Sequence, residues 1–161
     1  MKGLAPDAKN IPVKYPSYDK EEIGGFGTAR LGEASRYAVG ADAKVINISL
    51  GVEEMPTFDR AQSAYAYEKD VLVVAGTGDD GAPLAGLAAS PGVVAVGAVG
   101  QDGKVWDKSN YGPRTLLTAP GVHIRTAGAH DPYRQAPGTS DATAYVSGAA
   151  ALLRRSTPPP T

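Results

Sequence analysis

Two uninterrupted apolar runs constrain this chain most. Residues 71–75 and 92–99 contain only valine, leucine, alanine and glycine. Because these residues do not alternate with polar ones, the runs are typical of strands buried on both faces of a parallel sheet. Further strands or extended runs are predicted at 10–15, 44–50 and 114–119, and helices at 28–40, 57–70 and from about residue 139 onward. This alternation predicts an α/β layer fold with a mostly parallel sheet, whose ligand site lies at the carboxyl ends of the strands.

Composition narrows the class of protein. The chain has 161 residues, of which 42% are hydrophobic, so it suits a single domain with one core. A net charge of -1 favours neither nucleic acid nor an anionic membrane surface as a partner, and no stretch approaches the roughly 18 apolar residues of a membrane span. There is no cysteine, and the two histidines have no neighbouring thiolates with which to bind zinc. We therefore expect no metal and no cofactor.

The first apolar run continues into Gly-Thr-Gly-Asp-Asp-Gly at 76–81, which matches the spacing of a dinucleotide-binding loop. Asp102, 21 residues after the last of these glycines, could serve as the acidic residue of such a site. The site also needs a helix that begins in the loop. The residues that follow leave room for at most about two helical turns, because they include the helix breakers Pro83, Gly86 and Pro91. A dinucleotide-binding α/β domain remains an alternative. A further alternative is that the glycines bind no ligand and only let the backbone turn sharply after the strand.

A serine stands at the start of the last predicted helix. The stretch "GTSDATAYVSGAAALL", residues 138–153, places Ser140 in the first turn of a helix made of small residues. Free backbone N–H groups and the positive end of the helix dipole at this position can receive a developing oxyanion, as nucleophilic catalysis requires. Small residues such as Ala142 and Thr143 allow the helix to lie close to the sheet. The alternative is a serine or threonine that only caps an ordinary buried helix.

The same stretch resembles the nucleophile motif of subtilisin-like serine proteases, Gly-Thr-Ser-x-Ala-x-Pro-x-Val-x-Gly. Other segments are similar to segments of that family in the same order along the chain: "GLAPDAKNIPVKY", "ADAKVINISLG", "VLVVAGTGDDG", "SPGVVAVGAV", "SNYGP" and "TAPGV". The resemblance implies a three-layer subtilisin-like α/β fold with a mostly parallel sheet, from which the N-terminal portion, including a central strand, is missing. It divides the chain into a partial peptidase domain at 1–155 and a Pro-rich tail at 156–161.

The resemblance implies catalytic roles for two residues. Ser140 corresponds to the nucleophile, and its backbone N–H corresponds to one oxyanion donor. Asp79 stands where the family has the asparagine whose side-chain amide is the other donor. An ionised aspartate presents only acceptors, so this departure would cost on the order of 10²–10³ in rate unless Asp79 is protonated. Ala144 in place of the motif's proline and Asp141 in place of an apolar residue are further departures.

Substrate-binding residues are likewise implied by the resemblance. Two strands and one turn that bind the substrate in the family correspond to nine residues here: Ser49, Leu50 and Gly51 on one strand, Gly25, Phe26 and Gly27 near the opposite strand, and Gly76, Thr77 and Gly78 on the turn. An extended peptide held between two such edges binds by strand addition, with its side chains in alternating pockets. The expected partner is therefore an extended peptide or protein substrate.

The histidine and aspartate of the family's catalytic triad have no counterpart here, because they lie upstream of the segment that residues 3–8 resemble. We do not expect His123 or His130 to reach Ser140, and a serine without a base is a poor nucleophile. We therefore expect a fragment of a serine endopeptidase, inactive by itself, whose partner is a missing N-terminal segment that completes the sheet and the triad. A non-catalytic peptide-binding module is the alternative, so enzyme activity stays open. The family implies a secreted or cell-envelope parent protein, although no export signal is recognisable in the chain.

Overall fold

The computed structural model describes residues 3–14, 29–50, 57–127, 133–135 and 137–156. Three helices and six strands lie in these ranges, in the order α1 (Ala29–Gly40), β1 (Val45–Ile48), α2 (Thr57–Glu68), β2 (Leu72–Gly76), β3 (Val93–Val99), β4 (Thr115–Pro120), β5 (Arg125–Thr126), β6 (Arg134–Gln135) and α3 (Thr139–Ser156). No helix within the described ranges is both long enough and apolar enough to cross a bilayer.

Four of the strands form a parallel sheet in the order β1-β2-β3-β4. The two continuous apolar runs of the sequence become β2 and β3, the central pair, which are in register from Val73 opposite Val93 to Gly76 opposite Val96. Their central position explains why they carry no polar residue, since Val73, Val74 and Val96 are at most 2% exposed. The predicted α/β class with a parallel sheet is confirmed.

Helices cover both faces of this sheet. Successive side chains of a strand point to opposite faces, so β2 and β3 contribute to two separate cores. The core under α1 and α2 includes Leu31, Ala66, Val73, Ala75 and Ala95. The core under α3 includes Val74, Val96, Ala98, Ala119 and Ala142. The result is the predicted three-layer arrangement of helix, sheet and helix.

Small residues bring the beginning of α3 very close to the end of β4. Gly121 follows β4, and a Cβ atom at this position would lie 2.6 Å from the Cβ of Ala98 and 2.7 Å from the carbonyl oxygen of Gly138. The N–H of Gly138 donates to the carbonyl of Gly121 at 2.9 Å. This hydrogen bond ties the residue just before α3 to the sheet, so the position of the first turn of α3 depends on a glycine at residue 121.

An ion pair fixes the C-terminal end of α3 near the amino ends of the strands. The guanidinium of Arg154 donates to both carboxylate oxygens of Asp70, at 2.5 and 2.9 Å. Hydrogen bonding to Arg154 lowers the pKa of Asp70, and the same bond raises the pKa of Arg154. Asp70 lies in the turn before β2, so the pair connects the last turns of α3 to the amino end of that strand.

The structure differs from the sequence-based expectation at residues 10–14 and at the ends of α2 and α3. Residues 10–14 of the extended run are exposed and belong to no strand, because no strand among the described residues offers them backbone hydrogen bonds. Residue 15 and the start of the first predicted helix at Thr28 lie outside the described ranges. The helix α2 ends at Glu68, before a turn at 69–70, and α3 extends through Ser156, one residue into the predicted tail.

Substituting Gly121→Ala should destabilise the chain by about 1–3 kcal/mol, because the new methyl group has no space between Ala98 and Gly138. The control is Gly40→Ala at the end of α1, where nothing lies within 4 Å of the position of the added Cβ. We expect that change to alter the free energy of unfolding by no more than about 1 kcal/mol. Urea denaturation followed by circular dichroism measures both. Equal stability of the two variants would contradict the close packing of α3 on the sheet.

The contribution of the Asp70–Arg154 pair should depend on pH. Because the folded protein lowers the pKa of Asp70 below its ordinary value of 3.8, the stabilisation is present above that value and is lost as the pH falls through the folded pKa. Asp70→Asn removes the charge, and asparagine tolerates the φ of 55° at this position. We expect a slightly lower urea midpoint for the variant at neutral pH and equal midpoints well below pH 3.8. A difference that persists unchanged at the lowest pH would contradict this assignment.

Candidate active site

A cavity of about 220 Å³ opens at the carboxyl ends of β1 and β2, in front of the first turn of α3. Eight residues line it: Ser49, Leu50, Gly76, Gly78, Asp79, Asp80, Thr139 and Ser140. Six of these are site residues expected from the sequence, and only Asp80 and Thr139 are additional. A larger cavity of about 680 Å³ lies at the amino ends of the strands, beside Asp70 and Arg154, and contains none of the expected site residues. The small cavity is therefore the candidate site, at the sheet edge where parallel α/β folds bind ligands.

Ser140 is the second residue of α3 and is half-buried. Its hydroxyl donates to the carbonyl of Ser49 at 3.5 Å, and the hydroxyl of Ser49 donates to the carbonyl of Ser140 at 3.2 Å. These reciprocal bonds fix the first turn of α3 to the end of β1. Because Ser140 belongs to the first turn, its backbone N–H has no acceptor within the helix. Ser140 thus lines the cavity and has an N–H without an intrahelical acceptor, but the carbonyl that its hydroxyl contacts does not activate the hydroxyl as a base would.

Asp79 caps α3 from the loop that follows β2. One of its carboxylate oxygens, Oδ1, accepts the backbone N–H of Thr139 at 2.8 Å and the hydroxyl of Thr139 at 2.8 Å. The hydroxyl of Thr139 also accepts the N–H of Gly78 at 3.3 Å. A carboxylate at this position satisfies an N–H without an intrahelical partner and is stabilised by the positive end of the helix dipole. Asp79 is therefore an acceptor in this arrangement, whereas the family's asparagine would donate.

Asn110 shapes the loop that carries Asp79. Its side-chain oxygen accepts the backbone N–H groups of Asp80 and Ala82, each at 3.0 Å, and its backbone N–H donates to the carbonyl of Gly78 at 2.9 Å. Gly78 has a φ of 107°, and a Cβ there would collide with the side-chain amide of Asn110. The sequence predicts no role for Asn110. Its segment "SNYGP" resembles a segment of the subtilisin-like proteases, but the contact of Asn110 with a loop about 30 residues earlier becomes visible only in the folded chain.

Gly76 lines the cavity, whereas Thr77 is buried behind it. A Cβ at residue 76 would lie 2.8 Å from the hydroxyl oxygen of Thr139, so a side chain there would displace the start of α3. The side chain of Thr77 is buried and its hydroxyl lies 3.3 Å from that of Ser109. Thr77 does not line the cavity, although the resemblance implies that it belongs to a pocket wall.

The expected residues Gly25, Phe26, Gly27 and Gly51 lie outside the described residues, as does His130. His123 is exposed, has a φ of 59°, and uses its carbonyl to accept the side-chain amide of Gln135 at 2.8 Å. It does not line the cavity. Among the described residues, no imidazole makes a hydrogen bond to Ser140.

The alternative dinucleotide site lacks its helix. Residues 77–92, which connect β2 to β3, form turns and one isolated bridge, and they contain no helix whose N-terminus could face a pyrophosphate. The glycine spacing of 76–81 instead serves the turn beside α3. Within the described part of the chain, no group of three histidine, aspartate or glutamate side chains is placed to hold a metal ion.

Comparison with known proteins assigns the chain to a family. The family model described as the Subtilase family matches residues 1–159. The thermophilic serine proteinase of Bacillus sp. (strain AK1) is 37% identical over 153 residues, which are 94% of this chain and 37% of that protein. Subtilisin BL of Lederbergia lenta is 32% identical over 97% of this chain and 57% of its own length. A cell wall-associated protease of Bacillus subtilis (strain 168) is 36% identical over 95% of this chain and 17% of its own length. The chain thus spans little more than half, or less, of these relatives.

Solved structures share the fold as well. The self-cleaved protease domain of PatA matches with a TM-score of 0.84 at 32% identity, over 98% of this chain and 63% of that one. The prenylagaramide maturation protease PagA matches with a TM-score of 0.71 at 33% identity, over 83% of this chain and 51% of that one. Since a family model covers nearly the whole chain and the fold agrees, the chain belongs to the subtilase family of serine proteases.

Proposed function

We propose that this chain is the part of a serine endopeptidase that carries the nucleophile and the first substrate pocket. In the proposed reaction, Oγ of Ser140 bonds to the carbonyl carbon of a peptide and its proton passes to a base. The base returns that proton to the nitrogen as the C–N bond breaks, and the amine leaves. Water then hydrolyses the acyl-enzyme. The base, a histidine, and the aspartate that orients it come from sequence outside this chain.

One observation carries the proposal: Ser140 lines the cavity at the carboxyl ends of β1 and β2 and lies in the first turn of α3, where backbone N–H groups have no acceptor within the helix. A carbonyl oxygen bound there would meet an N–H donor and the positive end of an 18-residue helix, where a developing oxyanion is stabilised. Ser49 and Leu50 line the same cavity, next to the place where an extended peptide would pair with the end of β1.

The isolated chain is proposed to be inactive. Among the described residues, the hydroxyl of Ser140 donates only to the carbonyl of Ser49, which cannot take its proton. Asp79 accepts hydrogen bonds from Thr139 and supplies no donor for an oxyanion. Losing a base and an oxyanion donor together leaves only the small residual rate that binding and the remaining donor provide.

A missing segment is the proposed partner of β1. In the described part of the chain, β1 pairs with β2 alone. The carbonyl of Lys44 accepts the N–H of Leu72, so by alternation the backbone groups of Ile46 also face β2, and those of Val45 and Asn47 face away from it. An open parallel edge of this kind is a site for another strand. We propose that an N-terminal segment of the parent protein binds there and brings the missing catalytic residues to Ser140.

A second candidate function is supported by Asp79 alone. If the Asp79 carboxylate also faces the complete site of the parent protein, that protein would bind extended peptides without cleaving them.

The location of the parent protein is a separate proposal. One relative is a cell wall-associated protease by name. We propose a secreted or cell-envelope location for the parent protein.

The proposed inactivity can be tested with a fluorophosphonate probe, which labels activated serines. The chain should label at Ser140 at least about 10³-fold more slowly than an intact subtilase under the same conditions, because no described side chain is placed to act as its base. The variant Ser140→Ala reports labelling at other positions. Labelling of Ser140 at the rate of an active hydrolase would refute the proposal.

The open edge of β1 can be tested by amide hydrogen exchange measured by NMR. In the chain alone, the N–H groups of Val45 and Asn47 should exchange faster than those of Ile46 and Ile48, which face β2. These four residues lie on one strand, so each pair controls for the stability of the other. Equal protection of all four would mean that the edge is already covered, and the proposed docking site would not exist.

A further inference from the structure

We propose that Asn47 is a positioning residue of the candidate active site. It holds the first turn of α3, which carries Ser140, through the hydroxyl of Ser49, and it connects that turn to the open edge of β1. Ser140 is a nucleophile only under the proposed function, so the catalytic meaning of this role rests on that proposal, whereas the hydrogen bonds of Asn47 are independent of it.

Asn47 is a polar residue on the face of β1 that α3 covers. It lies opposite Val74 of β2, which belongs to the core under α3. Because residues two apart on a strand point to the same face, Val45 lies on this face as well, and its side chain packs against that core. Asn47 thus interrupts the apolar face of the strand, and its side-chain amide bonds to two serines.

A chain of hydrogen bonds runs in one direction from α3 to β1 and back to the first turn of α3. The hydroxyl of Ser147 donates to Oδ1 of Asn47 at 2.9 Å. Nδ2 of Asn47 donates to the hydroxyl of Ser49 at 3.1 Å, and that hydroxyl donates to the carbonyl of Ser140 at 3.2 Å. A hydroxyl has a single proton, so the donation from Asn47 leaves the proton of Ser49 for Ser140. Bonds that run in one direction also polarise one another.

This chain of bonds connects two turns of α3 through the end of β1. Ser140 and Ser147 are seven residues apart, so they lie on one side of the helix, separated by about 10 Å along its axis. Asn47 and Ser49 are two residues apart, about 7 Å along an extended chain. Asn47 bonds to the later serine of the helix, and Ser49 bonds to the earlier one. Two contacts at different heights fix the tilt of α3 as well as the position of its first turn.

Asn47 also belongs to the edge at which a further strand is proposed to bind. Its backbone N–H and carbonyl face away from β2, while its side chain bonds to α3. A strand paired at that edge would fix the backbone of Asn47, and its side chain would pass this constraint to Ser140 through Ser49. One residue therefore connects the open edge with the proposed nucleophile.

Only an amide can fill this position, because the residue must accept from one serine and donate to the other. Aspartate has the same shape, but its carboxylate only accepts. In Asn47→Asp the hydroxyl of Ser49 should therefore turn to the carboxylate in a charge-assisted bond, and the carbonyl of Ser140 should lose its donor. Ser49→Ala removes the same donor directly, and Ser49→Thr retains a hydroxyl.

The experiment is NMR of the full chain, with two signals from the start of α3. The ¹³C resonance of the Ser140 carbonyl moves to lower frequency when that carbonyl loses a hydrogen bond. The N–H of Ala144, whose acceptor in the helix is the same carbonyl, reports local opening through its exchange with solvent. In both Asn47→Asp and Ser49→Ala we expect the carbonyl shift and an exchange rate about twofold to tenfold higher.

Three further variants separate the proposed contact from other effects. The double variant of Asn47→Asp and Ser49→Ala should show no further change, because both substitutions remove one bond. Ser49→Thr should keep both signals of the unaltered chain. The matched control is Asn10→Asp, which makes the same change in charge at an exposed residue outside the chain of bonds, and it should move neither signal.

Two measurements keep the test decisive if a variant loses stability. Ser147→Ala removes only the first bond of the chain, so it should move the Ser140 carbonyl in the same direction by a smaller amount. The N–H of Ala150, nearly two turns after Ala144, should exchange at an unchanged rate in every variant, because the expected opening is confined to the start of α3.

The positioning role is overturned if the Ser140 carbonyl does not move in Asn47→Asp or in Ser147→Ala, or if the effects of Asn47→Asp and Ser49→Ala add. Faster exchange that extends equally to Ala150 also overturns it, because Asn47 would then only stabilise the helix as a whole. The same shift in Asn10→Asp would assign the effect to charge alone. Each of these results leaves the proposed function standing, because the labelling of Ser140 decides that question separately.

Discussion

The close approach of α3 to the sheet is the contact on which the rest of the structure depends. Gly76 and Gly121 lie at the ends of β2 and β4, and neither leaves space for a Cβ atom against the start of α3. Thr139 and Ala142 fill that contact from the helix side and are almost completely buried. Since protein interiors are packed as densely as crystals, a methyl group at either glycine would move the first turn of the helix. The position of Ser140 is thus a consequence of packing.

The same packing makes Asp79 part of the helix. The loop after β2 lies against the first turn of α3, and the backbone N–H of Thr139 needs an acceptor because the helix provides none. Asp79 supplies it, and Asn110 holds the loop in the conformation that makes this possible. One side chain therefore serves the stability of α3 and also sets the polarity of the cavity. An asparagine would satisfy the same N–H while it offered its amide to a ligand, so the aspartate changes the chemistry of the site at little cost to the fold.

The sequence predicted those parts of the fold and site that local patterns determine. The apolar runs that became β2 and β3 are continuous because both of their faces are buried, and the position of Ser140 followed from a motif that lies wholly at the start of one helix. The orientation of Thr77 could not be predicted, because it depends on Ser109, which the chain brings alongside only after folding. The role of Asn110 was hidden for the same reason. Residues 10–14 have the composition of a strand, but a strand forms only where a neighbour supplies its hydrogen bonds.

The edge of β1 connects the stability of the chain with the proposed chemistry. Ser49 follows β1 directly and exchanges hydrogen bonds with Ser140, so the proposed nucleophile lies at the end of the strand whose other edge is unpaired in the described part of the chain. Neighbouring strands lie about 4.8 Å apart, and the carboxyl ends of parallel strands meet at one edge of the sheet. A strand added parallel to β1 would therefore end about one strand spacing from Ser49, beside the cavity. The binding step that satisfies the open backbone groups of Val45 and Asn47 would be the same step that delivers new side chains to Ser140. Completing the sheet and completing the active site would then be a single event, and the nucleophile would gain a base only when the edge is closed.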